Sequence, residues 1–192
     1  MKKLILASGS LQRKKLLKDL GVRFTVKTSR IREVQKISTT CSALVKHNAL
    51  RKAEDVASRL KSGVVIGADT VVYGGNRELI GKPKNLKDAK RILHLLFSKP
   101  HWVYTGVAVL DVKTGKRLLD YEKTKVFMLP LSDEEINRYH RKVSPLDKAG
   151  GFDIEGGGSV FIHRIEGCYT NVIGLPIAKL ATMLRKVGVS IL

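Results

Sequence analysis

Leu4-Ile5-Leu6-Ala7-Ser8-Gly9-Ser10-Leu11-Gln12-Arg13-Lys14-Lys15-Leu16-Leu17 sets the architecture of this chain. An apolar run breaks at Ser-Gly-Ser and a basic segment with helical spacing follows at once, which is a strand, a tight turn and a helix start. Two readings of the turn stand side by side. Ser8 or Ser10 caps the helix. Alternatively the turn cradles a phosphate, because a helix N-terminus offers unpaired N–H donors and a partial positive charge, here beside two hydroxyls and Arg13.

Outward from this stretch, strands and helices alternate early and strand pairs come later, a pattern that predicts an α/β fold with a mixed sheet. Lys3–Ala7 reads as a buried strand, Leu11–Leu20 as a helix stopped by Gly21, and Arg23–Thr28 as a second strand. Arg30–Thr40 is a polar loop containing Glu33, of a length that is usually functional or mobile. Thr39 or Thr40 caps a basic helix running to about Leu60. Val64–Ala68 is a strong strand that Asp69-Thr70 continue into Val71-Val72-Tyr73, with a turn at Gly74-Gly75-Asn76 before Leu79-Ile80. Leu86–Phe97 is a clear amphipathic helix. His101–Asp111 and Lys116–Met128 form a hairpin, and Ser132-Asp133-Glu134-Glu135 is a capping box for a helix to about Lys142. A Gly-rich loop over Ser144–Gly158 precedes a strand at Val160–His163, and Pro176 opens the last helix.

The 192 residues fit one domain with two lobes. With 36 Lys+Arg against 17 Asp+Glu, the formal charge of +19 favours anionic partners: nucleic acid, an acidic membrane surface or a polyphosphate. An aromatic content of 6% gives little support to a base-stacking surface. Cys41 and Cys168 form no CxxC pair, which argues against a thiolate zinc site and for a cytosolic protein with reduced thiols. The first apolar run stops at Ser8, short of a signal-peptide core, and no run approaches the ~18 apolar residues of a membrane span. The expectation is a soluble, cytoplasmic protein.

Asp69 is the most unusual residue. It interrupts the apolar run Val64–Val72, where a carboxylate is costly to desolvate unless it binds a metal, hydrogen-bond donors or a cation. Its plainer reading is a structural Asp bonded to backbone. Glu33, Asp147, Asp153 and Glu155 are the other carboxylates to watch, because two or three of the five can gather around magnesium. Gly81-Lys82-Pro83 is not a Walker A loop: five residues rather than four separate Gly75 from Gly81, and Pro83 stands where Ser or Thr must hold the metal. Lys82 can still meet a phosphate as a point charge, or be an exposed turn lysine. No GxGxxG, HExxH or Ser-His-Asp arrangement is evident, so the parts are those of a nucleotide hydrolase without a fixed reaction.

The chain resembles the Maf family of nucleoside triphosphate pyrophosphatases, a family also associated with septum-formation inhibition. The matching stretches are Leu6–Ser10 with Arg13, Lys52-Ala53, Gly67–Val72, Gly81-Lys82-Pro83, His101 with Thr105-Gly106, Pro145–Gly150, Ile165-Glu166-Gly167 and Asn171–Pro176, in order from Leu4 to about Leu184. The resemblance implies a single domain over residues 1–192, an elongated, ITPase-like mixed sheet flanked by helices, and two lobes around an active-site cleft. It implies cleavage of a nucleoside triphosphate between the α and β phosphates, a divalent metal (Mg²⁺ or Mn²⁺) and a homodimer, and it favours a nucleotide over a nucleic acid as partner; no membrane partner is expected, since no apolar run is long enough to span one. By motif position Asp69 is the base that activates water, Glu33 assists and shares the metal with Asp69, and Ser8, Arg13, Lys52 and Lys82 hold the triphosphate. Gln12, Thr70 and Glu155 fall on positions that the family uses for base selection.

Departures from the family pattern sit at the same places. Ser10-Leu11-Gln12-Arg13 replaces Ser-Pro-Arg-Arg, Arg32-Glu33 replaces an acidic pair, and Phe152–Gly156 carries Asp153 and Glu155 in place of Gly and Gln. Thr70 matches relatives that prefer dTTP and UTP, Glu155 matches those that prefer 7-methyl-GTP, and Gln12 matches neither. The motif set as a whole points to dTTP/UTP. A 7-methyl-GTP or other guanine-nucleotide pyrophosphatase is the alternative, and a basic nucleic-acid-binding protein without activity is the second.

Overall fold

The computed structural model describes residues 2–34, 40–75 and 78–191. Thr39 and Asn76, expected as cap and turn residues, lie outside them. The elements in chain order are β1 (Leu4–Leu6), α1 (Leu11–Asp19), β2 (Phe24–Val26), α2 (Cys41–Ala57), β3 (Val64–Gly75), β4 (Glu78–Ile80) and α3 (Leu86–Phe97). After these come β5 (His101–Asp111), β6 (Arg117–Met128), α4 (Asp133–Lys142), β7 (Ile162–Glu166), α5 (Tyr169–Ile173) and α6 (Ile177–Arg185). The seven strands make one sheet in the order β2-β1-β3-β5-β6-β7, with β4 added to β3. β1 is parallel to β2 and β3, whereas β4 and β7 are antiparallel to β3 and β6, so the sheet is mixed as the element pattern predicts.

The chain divides into two compact units. The first comprises residues 1–70, 105–122 and 174–192. All three residues of β1 are buried, because helices cover both of its faces. Leu4 and Leu6 join Leu17 of α1 and Leu180 and Leu184 of α6 in one core, and Ile5 joins Ala49, Ala53 and Val56 of α2 in another. At each fully buried leucine this packing contributes roughly 1.5–3 kcal/mol.

The second unit comprises residues 71–104 and 123–173. Its core gathers Ile92, Leu93 and Leu96 of α3, Ile136 and Tyr139 of α4, Val103 of β5 and Val126 of β6. α4 starts at the expected reciprocal capping box of Ser132 and Glu135, and α3 starts at a cap the sequence reading did not name, Asn85, whose side chain accepts from Asp88 N at 2.9 Å.

Among the differences from the sequence reading, α2 ends at Ala57 rather than near Leu60, and three more lie in the last third of the chain. The strand expected at Val160–His163 is Ile162–Glu166, because residues 156–160 wind into a 3-10 turn first. Pro176 is the cap rather than the first residue of α6. The short helix α5 was not anticipated. It is held from inside by Asn171, fully buried, whose amide donates to Val103 O at 3.1 Å and to Thr124 Oγ1 at 2.9 Å.

Candidate active site

Asp69 follows the buried run of β3 and is itself only 4% exposed. Burial of a lone carboxylate costs several kcal/mol, so its partners decide whether it can stay. Lys52 Nζ donates to Oδ1 at 2.7 Å and Asn48 Nδ2 donates to Oδ2 at 2.9 Å. Lys52 also reaches Glu33 Oε1 at 2.7 Å and Ala68 O at 3.2 Å, which occupies its three donors. The Asn48 amide makes two further bonds, accepting from Val34 N at 3.0 Å and donating to Val34 O at 2.9 Å. It thereby ties the segment that carries Glu33 to the helix that carries Lys52.

This geometry follows from α2. Thr40 caps it, accepting from Ala43 N at 3.1 Å, and its buried stripe reads Leu44, Val45, Asn48, Ala49, Lys52, Ala53, Val56. Asn48 and Lys52 are one turn apart within an otherwise apolar stripe, so both point at the sheet. Small residues let the helix approach closely. A Cβ on Gly67 of β3 would lie 2.2 Å from Ala49 O, and one on Gly106 of β5 would lie 2.2 Å from Val45 O. Either Gly→Ala change would push α2, and the Lys52 ammonium with it, away from Asp69.

Arg13 forms the other half of the cluster. It is 8% exposed, and it donates from Nε to Gly174 O at 2.9 Å, from Nη1 to Ser8 Oγ and Ala68 O at 3.0 Å each, and from Nη2 to Thr70 Oγ1 at 2.9 Å. Burial pulls its pKa downward while Asp69 and Glu33 pull it up, and a guanidinium remains charged throughout. Thr70 continues the network to Thr105 Oγ1 at 2.9 Å.

Ser10 takes the capping role: its Oγ accepts from Arg13 N at 3.4 Å and donates to Gln12 Oε1 at 3.1 Å. Ser8 Oγ instead accepts twice, from Ser10 N at 3.3 Å and from Arg13 Nη1. Both acceptor positions are filled, so its proton is what the hydroxyl has to offer a ligand.

The first unit thus brings together Ser8, Arg13, Glu33, Lys52, Asp69 and Thr70, with Gln12 one bond from the cap. Asn48 belongs to the same cluster and was missed from sequence, although a polar residue in the buried stripe of a helix is a readable signal. No three His, Cys, Asp or Glu side chains converge as a ready-made metal site among the described residues. Glu33 and Asp69 do converge, and the Lys52 ammonium sits at the meeting point. Two carboxylates that already accommodate a cation are the donor set a magnesium-class ion shares with phosphate oxygens and water.

Lys82 and Glu155 belong to the second unit. Lys82 is exposed, in a turn whose Gly81 O accepts from Gly150 N at 3.0 Å, so Gly81-Lys82-Pro83 and Pro145–Gly150 are one construction there. Asp147 pairs with Lys148 Nζ at 2.7 Å. Glu155 is half-buried and follows a loop anchored by Asp153, whose Oδ1 accepts from Tyr139 Oη and from Gly158 N at 2.9 Å each. Asp147 and Asp153 therefore have structural partners.

Comparison with known proteins adds to this geometry. A family profile described as Maf-like protein matches residues 3–187. A protein of Alkaliphilus oremlandii named dTTP/UTP pyrophosphatase is 48% identical over 188 residues, covering 96% of each chain. One of Pelotomaculum thermopropionicum with the same name is 44% identical over the whole of both chains. One of Methanosarcina barkeri, again so named, is 43% identical over 100% of this chain and 97% of its own. Among solved structures, the Ham1 protein of Staphylococcus aureus superposes with a TM-score of 0.55 over 97% of this chain and 100% of its own; at 15% identity that likeness speaks to the fold alone.

Proposed function

We propose, since this chain belongs to the Maf family, that it is a nucleoside triphosphate pyrophosphatase acting on dTTP and UTP. The observation that carries the reading is the buried Asp69 carboxylate, held by Lys52 and Asn48 beside Glu33. Asp69 takes a proton from water. The water oxygen bonds to the α-phosphorus, the bond from that phosphorus to the bridging oxygen breaks, and pyrophosphate leaves with the bridging oxygen. The products are the nucleoside monophosphate and pyrophosphate.

Phosphoryl transfer is governed by positioning and by neutralisation of charge. Ser8 donates its hydroxyl proton to a phosphate oxygen. Lys52 exchanges its carboxylate contacts for phosphate oxygens, and Lys82 meets the triphosphate as a point charge. Arg13, four of whose five N–H donors meet protein acceptors, fixes Ser8 and Thr70 and brings its positive charge and its second Nη2 hydrogen to the triphosphate. Asp69 and Glu33 are the residues that would hold Mg²⁺ or Mn²⁺, which supplies charge neutralisation and a lowered pKa for bound water. A cytoplasmic location and a homodimer are part of the same proposal. Among the described residues, no helix is long and apolar enough to cross a membrane.

Base selection falls to Gln12, Thr70 and Glu155. An ionised Glu155 only accepts hydrogen bonds, which favours the adjacent N–H groups of guanine over the single N–H of uracil between two carbonyls. Initial rates of pyrophosphate release from dTTP, UTP, CTP, GTP and 7-methyl-GTP, for wild type and Glu155→Gln, test the reading. The expected result is highest kcat/KM on dTTP and UTP, and a higher UTP-to-GTP ratio in the variant. Highest kcat/KM on GTP or 7-methyl-GTP would replace the substrate, an unchanged ratio would remove residue 155 from base selection, and no turnover of any nucleotide would overturn the activity.

A further inference from the structure

The second unit carries a set of cations and aromatic rings that the proposed activity does not use. Period-two alternation puts Val103 and Val126 into the core with α3 and α4 and turns Trp102, Lys123, Lys125 and Phe127 to the other face of β5 and β6. β7 extends that face, since Arg164 lies opposite Phe127 and Glu166 opposite Lys125. Lys123 and Lys125 sit over the Trp102 ring at 5.1 and 5.6 Å from its centroid. Lys125 and the Arg164 guanidinium sit over Phe127 at 5.1 and 3.9 Å. Lys123 and Arg164 are exposed and the two rings are half-buried.

We propose that this face of β5, β6 and β7 binds single-stranded nucleic acid. Such surfaces combine a cationic track for the backbone with ring faces on which bases stack, and here both occur on neighbouring strands. The low aromatic fraction of the sequence is an average, and the fold gathers two of its rings among three cations. The bound state is an exchange: amines leave the rings for phosphates, and the rings receive bases. An exposed cation–π contact is worth only a few-fold in equilibrium constant, whereas a stacked base is worth about fivefold to a hundredfold, so the exchange favours the complex. Glu166, paired with Arg164 at 2.6 Å, marks where the cationic track ends on β7. A net charge of +19 supplies long-range attraction for a polyanion. The same charge disfavours a second copy on this face, because a two-fold axis there would set its lysines against each other.

Trp102 is the chain's single tryptophan, which gives a direct readout. Its fluorescence is followed while a dT15 oligonucleotide is added to the full chain at low salt. Saturable quenching that salt reverses is expected, and it should weaken at least tenfold in Lys123→Glu/Lys125→Glu but little in Lys18→Glu/Arg23→Glu, which changes the net charge equally on the first unit. Circular dichroism confirms that each variant is folded, and Lys125→Gln replaces the double variant if it is not. No quenching would overturn the proposal, and so would equal loss in both charge reversals, which would mean bulk attraction alone. A wild-type dimer that Lys123→Glu/Lys125→Glu dissociates, with no quenching, would assign the face to a second copy instead.

Discussion

α2 and α3 are both amphipathic helices packed on the sheet, and their buried stripes differ in kind. α3 buries Ala89, Ile92, Leu93 and Leu96, all apolar. α2 buries Asn48 and Lys52 in the middle of an equivalent stripe. Polar groups in such positions are costly unless matched, and here they are matched by Asp69, Val34 and Glu33. On the proposed function, α2 gives part of its packing face to chemistry and α3 gives its own only to stability. A break in helical patterning therefore marks the site more sharply than any single motif residue.

Substitutions at Leu93, Asn48 and His101 break or sharpen that contrast. Leu93→Ala in α3 should cost about 2–5 kcal/mol of stability, as expected for a large cavity in a packed core, while kcat per folded molecule at 25 °C stays at the wild-type value. Urea unfolding beside initial rates measures both, and a large loss of kcat in folded protein would erase the distinction between the helices. Asn48→Ala in α2 should do the reverse. Loss of one hydrogen-bonded partner of a buried carboxylate should lower kcat about tenfold, roughly 1.4 kcal/mol of barrier, with KM changing less; Asn48→Asp should not rescue it, because a second carboxylate would face Asp69. Equal fractional changes in kcat and stability across the two variants would reduce Asn48 to packing.

The smallest effect concerns His101, a polar residue buried in the second unit, edge-on to Phe152 at 5.6 Å. Burial pushes its pKa down to about 4, against a weaker pull upward from the Leu96 backbone. In the unfolded chain imidazole takes a proton near pH 6.5 and in the fold only near 4, so acidification favours the unfolded state. Between pH 7 and 5.5 the wild type should lose about 1 kcal/mol that His101→Phe does not lose. Parallel pH slopes for the two proteins would show that this histidine does not titrate differently on folding. Unlike Lys52, His101 is a buried polar group with no expected role in turnover.

Much of this was readable in the sequence. α3 and α4 match residue for residue or nearly so, because each combines a helical period with its own cap at Asn85 or Ser132. β3 and Asp69 were legible because a carboxylate stood in an apolar run. What local pattern could not show was partnership at long range. Asn48 reads as one polar residue in a basic helix until Val34 and Asp69 are seen beside it. The bonds that orient Arg13, to Gly174 O and Ala68 O, are equally invisible in its own sequence neighbourhood. α5 has only five residues and depends on Asn171 bonds to β5 and β6, which no periodicity encodes. Gly81-Lys82-Pro83 and Pro145–Gly150 were separate motifs in sequence and are joined by one backbone hydrogen bond.

The central claim is that Asp69 is the base of a nucleoside triphosphate pyrophosphatase. The most direct measurement is the steady-state release of pyrophosphate from dTTP by wild type and Asp69→Asn with Mg²⁺ or Mn²⁺, with circular dichroism showing both folded. Asn keeps the shape and an acceptor for Lys52 and cannot take the proton, so kcat should fall about a hundredfold or more. A folded Asp69→Asn enzyme with kcat within a few-fold of wild type would contradict the account.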